Sequence, residues 1–295
     1  MTTDGRGSVI HDIGYRPYRG PRQGRWGIVA GLLRHGALST FGFGRSGKAK
    51  VLPFALLFMT LVPALVLVGI VSFLGFSSEL LDYAGYQQTT SFFVILFVAA
   101  QAPVLFTRDL RSGVISLYLA RPLGSATFAL VRWASLVLAI LAFVITPLVL
   151  MFIGGLAAGA DFTEELPRWL VAMAGAVLLA ILLATVGAVV SSLTLRRGLA
   201  IGGSIVVLLF GLGMTAVLQE VANEQGQQGI ATWLGLLSPF VLVDAAQHGL
   251  ADAPSAFEAP PEDSLTALAM LLVALGLAAL GLLLLVRRYR NRGAR

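Results

Sequence analysis

The chain has no cysteine, so disulfides and thiolate chemistry are excluded, while the compartment stays open. Histidine is nearly absent as well, at 3 residues in 295. With so few imidazoles, no thiols and no paired carboxylates inside apolar segments, no metal-ligand set can be assembled from the pattern. Charge is scarce: Asp, Glu, Lys and Arg together make up 12% of the chain. Above all it is missing from six long apolar stretches, at about 51–76, 89–106, 133–159, 169–195, 199–218 and 264–286, which contain no Asp, Glu, Lys, Arg or His. Proton-coupled carriers usually rely on intramembrane Asp, Glu or His relays, and those are missing here.

What is present sets the class. Hydrophobic residues make up 57% and the mean hydropathy is +0.85, far from the soluble average. The expectation is an all-α polytopic membrane protein of six transmembrane helices. A net charge of +6 and a pI near 10.2 then describe a basic face beside an anionic leaflet rather than a nucleic-acid partner. The first apolar run begins only after about fifty polar residues, so no secretory signal is visible and the first span reads as a retained helix.

The basic residues orient the spans. Nine fall in 1–50, four in 107–132, two in 196–198 and five in 287–295, against Arg168 alone in the other connections. Short loops rich in Lys and Arg stay cytoplasmic, which puts both termini inside. The acids run the other way: Glu79, Asp82, Asp161, Glu164, Glu165, Glu220, Glu224, Asp244, Asp252, Glu258, Glu262 and Asp263 fall outside. The expected organisation is a basic cytoplasmic segment at 1–50, a transmembrane domain at 51–286 and a basic cytoplasmic tail at 287–295.

Within the first segment, the stretch from about Trp26 to Leu38 sets Trp26, Val29, Leu32 and Leu33 near one side of a helix, with Arg25 and Arg34 able to reach phosphates. It fits an interfacial helix on the inner membrane surface, and equally a solvated basic leader. Pro63 and Pro147 predict kinks inside their spans. The spacings Gly155/Gly159 and Gly198/Gly202 permit close helix contact, although glycine is common enough in spans for chance to produce them. The longest connection, 219–263, contains a modest apolar run from Trp233 to Val243 broken by Ser238 and Pro239. It is too short to cross, since about twenty residues are needed, and a seventh span would put the tail arginines outside. A re-entrant or interfacial element is expected there.

Two motifs invite a catalytic reading and fail. Gly42, Gly47 and Lys48 match the GxxxxGK phosphate loop, but Ala49 stands where a Mg²⁺-binding Ser or Thr is needed, and no α/β domain precedes it. Gly44, Ser46 and Gly47 are similar to the GxSG loop of intramembrane serine proteases, but that serine needs a histidine on a neighbouring helix. His248 falls on the other side, and His11 and His35 lie in the leader. His248 stands one helical turn after Asp244 and can pair with it, a surface hydrogen bond being the simpler reading. No catalytic constellation is expected, so energy for uphill transport would come from another subunit.

The segment 107–132 is longer than adjacent helices require. Arg108, Asp109 and Arg111 precede a short amphipathic run with Leu117, Tyr118 and Leu119, stopped by Arg121 and Pro122. Such a helix suits docking into a groove on a soluble partner, and serves equally as a set of positive-inside anchors. Here the chain resembles the permease subunit of type-2 ABC transporters, the exporter-like class, in the cluster Arg108, Asp109, Arg111, Ser112, Gly113, the stretch Leu117–Leu119, and Arg121, Pro122, Leu123. The resemblance covers about 51–286 and includes Leu237, Ser238 and Pro239.

It implies a permease without enzymatic activity of its own, which exports a hydrophobic or amphiphilic compound such as a drug, lipid or natural product. The partners it implies are two copies of a separate ABC ATPase, which would hold the ATP and Mg²⁺, a second permease copy or a related permease, and plasma-membrane lipid. Arg108, Asp109, Arg111, Leu117, Tyr118 and Arg121 would form the coupling helix. The substrate path would run at the dimer interface past Phe93, Phe97 and Gln101 in the second span and Phe210 and Met214 in the fifth. A different class remains open, an ATP-independent membrane protein: a sodium-type carrier built on broken helices, or a membrane assembly factor.

Overall fold

An apolar stretch in lipid must satisfy its backbone hydrogen bonds internally, which leaves the helix as the natural solution for a single segment. The computed structural model describes residues 20, 24–107 and 124–293. Among them all regular structure is helical, and six helical segments are long and apolar enough to cross a membrane. Ahead of these lies α1 (Arg25–Thr40), and α2 (Lys48–Leu74) is the first crossing. The second is composite: a 3₁₀ turn at Ser78–Leu80, α3 (Tyr83–Thr89) and α4 (Ser91–Leu105). Next come α5 (Ser125–Ala157) and α6 (Phe162–Leu193). The fifth crossing joins α7 (Arg197–Ile205), a π-helical segment Val206–Phe210, and α8 (Gly211–Glu224). Short helices α9 (Gln228–Leu234) and α10 (Pro239–Ala251) precede the sixth crossing, α11 (Ser264–Gly293).

Each expected span lies largely within one of these six crossings, but several crossings begin earlier, inside the polar flanks. Arg132 lies on α5 and is buried, with its guanidinium 5.3 Å from the Phe128 ring centre. Glu164, Glu165 and Arg168 lie on α6. The helices themselves are therefore not free of charge, although their apolar centres are. Pro63 and Pro147 sit inside the continuous helices α2 and α5.

The second crossing is the centre of the bundle: 72% of its apolar window is buried, against 22% for the first, 17% for the fifth and 28% for the sixth. Helix α4 packs against α1, α2, α5, α6 and α7. At its middle Phe97 stacks on Phe143 of α5 at 4.4 Å and meets Phe41 at 5.5 Å. The poorly buried crossings carry exposed Phe58, Leu65, Val206, Phe210, Leu272 and Leu283, faces that call for lipid or another protein.

Helix α1 packs along α5. Leu32, Gly36, Ser39 and Thr40 are buried, whereas Trp26 is 81% exposed, so the packed side is not centred on the tryptophan. Gly36 allows this approach because a Cβ there would come within 2.7 Å of the Ser135 Cβ. The Ser135 hydroxyl donates to the Leu33 carbonyl at 3.2 Å and to the Val131 carbonyl at 2.8 Å as alternatives.

Candidate functional site

The alternating crossings give the bundle two chemically different ends. At one end stand Arg25, Arg132, Arg196 and Arg288. The Arg25 guanidinium donates to Thr127 at 3.3 Å, Thr107 donates to the Ser191 carbonyl at 2.9 Å, and Arg288 donates to the Leu193 carbonyl at 3.2 Å. These bonds tie α1 to α5, the end of α4 to α6, and α6 to α11. The expected coupling residues Arg108, Asp109, Arg111, Leu117, Tyr118 and Arg121 lie outside the described residues. The structure places only their flanks, Thr107 and Gly124, at this basic end.

The other end is acidic. Glu165 is buried; it accepts from the Tyr83 hydroxyl at 2.6 Å and from Arg168 at 3.1 Å. Arg168 also reaches toward the Glu79 carbonyl at 3.4 Å. Three buried amides stitch the short helices to the crossings: Gln87 donates to the Ala172 carbonyl, Gln88 to the Phe240 carbonyl and Gln247 to the Val171 carbonyl. Through them α10 is folded into the bundle, with Phe240–Gln247 buried against α3, α6, α8 and α11.

The carboxylate of Asp244, on α10, accepts from Ser255 at 2.6 Å and from the Ala256 N–H at 3.1 Å, fixing the loop that follows the helix. Burial pushes its pKa up from the ordinary carboxylate value, and the bonds from Ser255 and Ala256 only partly oppose this. His248 takes the Ala253 carbonyl at 2.8 Å. Asp244 and His248 thus each find their partner in the loop rather than in one another. At the turn into α6, the hydroxyl and N–H of Thr163 bond to exposed Asp161 and lower its carboxyl pKa.

Two cavities open at this acidic end. One, of about 270 Å³, is walled by Asp82, Tyr83, Arg168, Val171, Ala251 and Asp252. Its neighbour, of about 260 Å³, is an apolar groove between α6, α10 and α11 lined by Val171, Gly175, Leu178, Ala246, Gln247 and Leu250. Gly175 leaves room there for the end of the Gln247 side chain, which a Cβ would displace. Nothing in the sequence pattern marks these walls; only the docking of α10 creates them.

The residues expected along a substrate path occupy different surroundings. Phe97 and Gln101 are buried in the bundle, Phe93 is half-buried beside Phe92, Met214 is half-buried and Phe210 is 64% exposed within the π segment. None of the five lines either cavity. The Oε1 of Gln101 has no hydrogen-bond partner within the chain. Among the described residues no cluster of His, Asp and Glu is arranged to hold a metal ion. The GxxxxGK stretch forms the turn between α1 and α2, with Gly42 at φ 83° and Gly44 at φ 73°. Comparison with protein-family models and with curated proteins finds no match.

Proposed function

We propose that this chain is the membrane-spanning permease subunit of a type-2 ATP-binding cassette transporter, exporting a hydrophobic or amphiphilic compound with energy from a separate ATPase. The observation that carries the reading is the run Arg108, Asp109, Arg111, Gly113, Leu117–Leu119, Arg121, Pro122, Leu123, which falls between the second and third of six membrane-length helices. In this reading both termini are cytoplasmic in the plasma membrane and two permeases bind two ATPase subunits. ATP-driven closure of the ATPase pushes the 108–121 segment, and the crossings tilt to open the outer gate. The chain itself performs no chemistry.

Two features of the bundle support the reading. The basic end links α1, α4, α5, α6 and α11 through bonds that include Thr107, the residue that leads into the proposed coupling segment, so a push on that flank would reach most of the crossings. The fifth crossing, the least buried, leaves Gly198, Gly202 and Phe210 uncovered for a second copy. It also contains a π segment, a form often found at functional sites because it loosens the regular helix ladder. The test is purification of the tagged chain from its own membranes with mass-spectrometric identification of its companions. A stoichiometric ABC ATPase is expected, and a chain that purifies alone, fully folded and active in transport, would overturn the proposal.

A further inference from the structure

The turn from α1 into α2 gathers the cations Arg45, Lys48 and Lys50 in one short stretch, and no Asp or Glu occurs between Asp12 and Glu79. Gly42 makes the turn tight: at φ 83° its backbone lies against Ala49 and Lys50, and a Cβ there would stand 2.8 Å from their backbone atoms. Phe43 is thereby held beside Lys50, whose Nζ sits 5.0 Å from the ring centre. Arg45 donates to the Ser39 carbonyl at 3.4 Å. Lys48 and Lys50 are exposed, and neither has an acid partner among the described residues.

These two lysines bracket an apolar face. Successive helix residues turn by about 100°, which puts Lys48 and Lys50 on opposite flanks of the outward side of α2. Val51, Phe54 and Phe58 lie between them and are exposed, while Pro53, Leu56 and Thr60 on the other side are buried. With 27 residues α2 is about 40 Å long, more than an apolar bilayer core of about 30 Å. Its Val68 meets Gly154 toward the acidic end, so the lysines stand at the opposite boundary, at the depth of lipid headgroups. Charge complementarity selects what covers this face. A second copy meeting it in two-fold contact would set the same lysines against each other, like charge against like. A zwitterionic lipid brings no net charge, whereas an anionic phospholipid brings an unbalanced negative phosphate to two free ammonium groups and its chains to the face below them.

We infer that the start of α2 binds an anionic phospholipid, its phosphate held by Lys48 and Lys50 and its acyl chains lying along Val51, Phe54 and Phe58. This inference rests on α2 crossing a membrane and stands or falls independently of the ATPase partnership. The probe is phosphatidylglycerol with a photoreactive group in one chain, included in phosphatidylcholine vesicles that hold the full-length protein and mapped by peptide mass spectrometry. Phosphatidylcholine with the same photoreactive chain is the reference.

Phosphatidylglycerol should label residues 51–58 in excess of the reference, with no such excess on the exposed Leu272 and Leu283 of α11. Replacing both lysines, Lys48→Gln with Lys50→Gln, should reduce the excess roughly tenfold, whereas Lys48→Arg with Lys50→Arg should keep it. High salt should weaken it, and soluble glycerol phosphate should not compete. An equal ratio of the two lipids on α2 and α11 overturns the inference, and this map needs only the unaltered chain. An excess that survives the paired Gln substitutions, or that soluble glycerol phosphate removes, overturns it too. So does efficient disulfide cross-linking between Phe58→Cys chains, which would give the face to a second copy.

Discussion

Buried polar groups at the acidic end show how single residues hold this bundle together. Asp244 is the most exacting of them, because its carboxylate is buried yet satisfied by Ser255 and Ala256. Removing the acceptor leaves the Ala256 N–H without its partner and the Ser255 hydroxyl with only the longer bond to the Phe257 carbonyl, so Asp244→Ala should cost about 1 kcal/mol or more, read as a lower melting temperature in detergent. Asp244→Asn keeps an acceptor for Ala256 and a donor for Ser255 and should cost much less. The pH dependence has a defined sign. Folding raises this carboxyl's pKa, so its stabilising contribution is complete below the ordinary value of about 3.9 and is lost as pH rises through the raised one. The stability of the parent chain relative to Asp244→Asn should therefore fall between acid and neutral pH. A difference that grows with pH would contradict the assignment. The aromatic residues teach a different lesson: Phe97 and Phe210 look alike in an uncharged sequence, yet one is in the core and the other exposed. Without charge to mark a polar face, the pattern does not separate packing from lining.

At the scale of elements, the six crossings were legible because each contains a long charge-free run, the strongest signal a sequence offers. Their ends were not. Arg132, Glu165 and Arg168 look like loop residues until another helix supplies the contact that admits them: Glu165 enters because Tyr83 bonds it from across the bundle. Helix α10 was legible only as a short apolar interruption. Its depth of burial comes from Gln88 and Gln247 reaching carbonyls on neighbouring elements, a pairing that no local pattern announces. Helix α1 presents the same problem, since its packing depends on the absence of a side chain at Gly36. Gly36→Leu should push α1 off α5, at a cost of about 1–3 kcal/mol from overpacking. Gly31→Leu is the matched control, because a Cβ there meets nothing within 4 Å. Faster proteolysis in α1 for Gly36→Leu than for Gly31→Leu is the expected result, and equal rates would show that the contact does not hold the helix.

For the whole molecule, the separation of basic and acidic ends predicts one orientation in the membrane. With no native cysteine, single substitutions report cleanly. Glu164→Cys and Glu258→Cys should react with an impermeant thiol reagent in intact cells, whereas Ser112→Cys and Gly293→Cys should not; labelling at 293 in sealed cells would reverse the assignment. Orientation alone does not establish that the bundle is driven by a partner. Interface charges that lose a buried partner cost on the order of 2–5 kcal/mol, far more than charges at a rim. The most direct measurement of the central claim is therefore ATPase copurification, together with substrate-stimulated hydrolysis, for Asp109→Ala, Arg111→Ala and Leu117→Asp against Arg292→Ala in the tail. The account predicts that the first three lose the ATPase or uncouple it while still inserting normally, and that the tail variant behaves as the parent. Three coupling-segment variants indistinguishable from the tail control in both assays would contradict it.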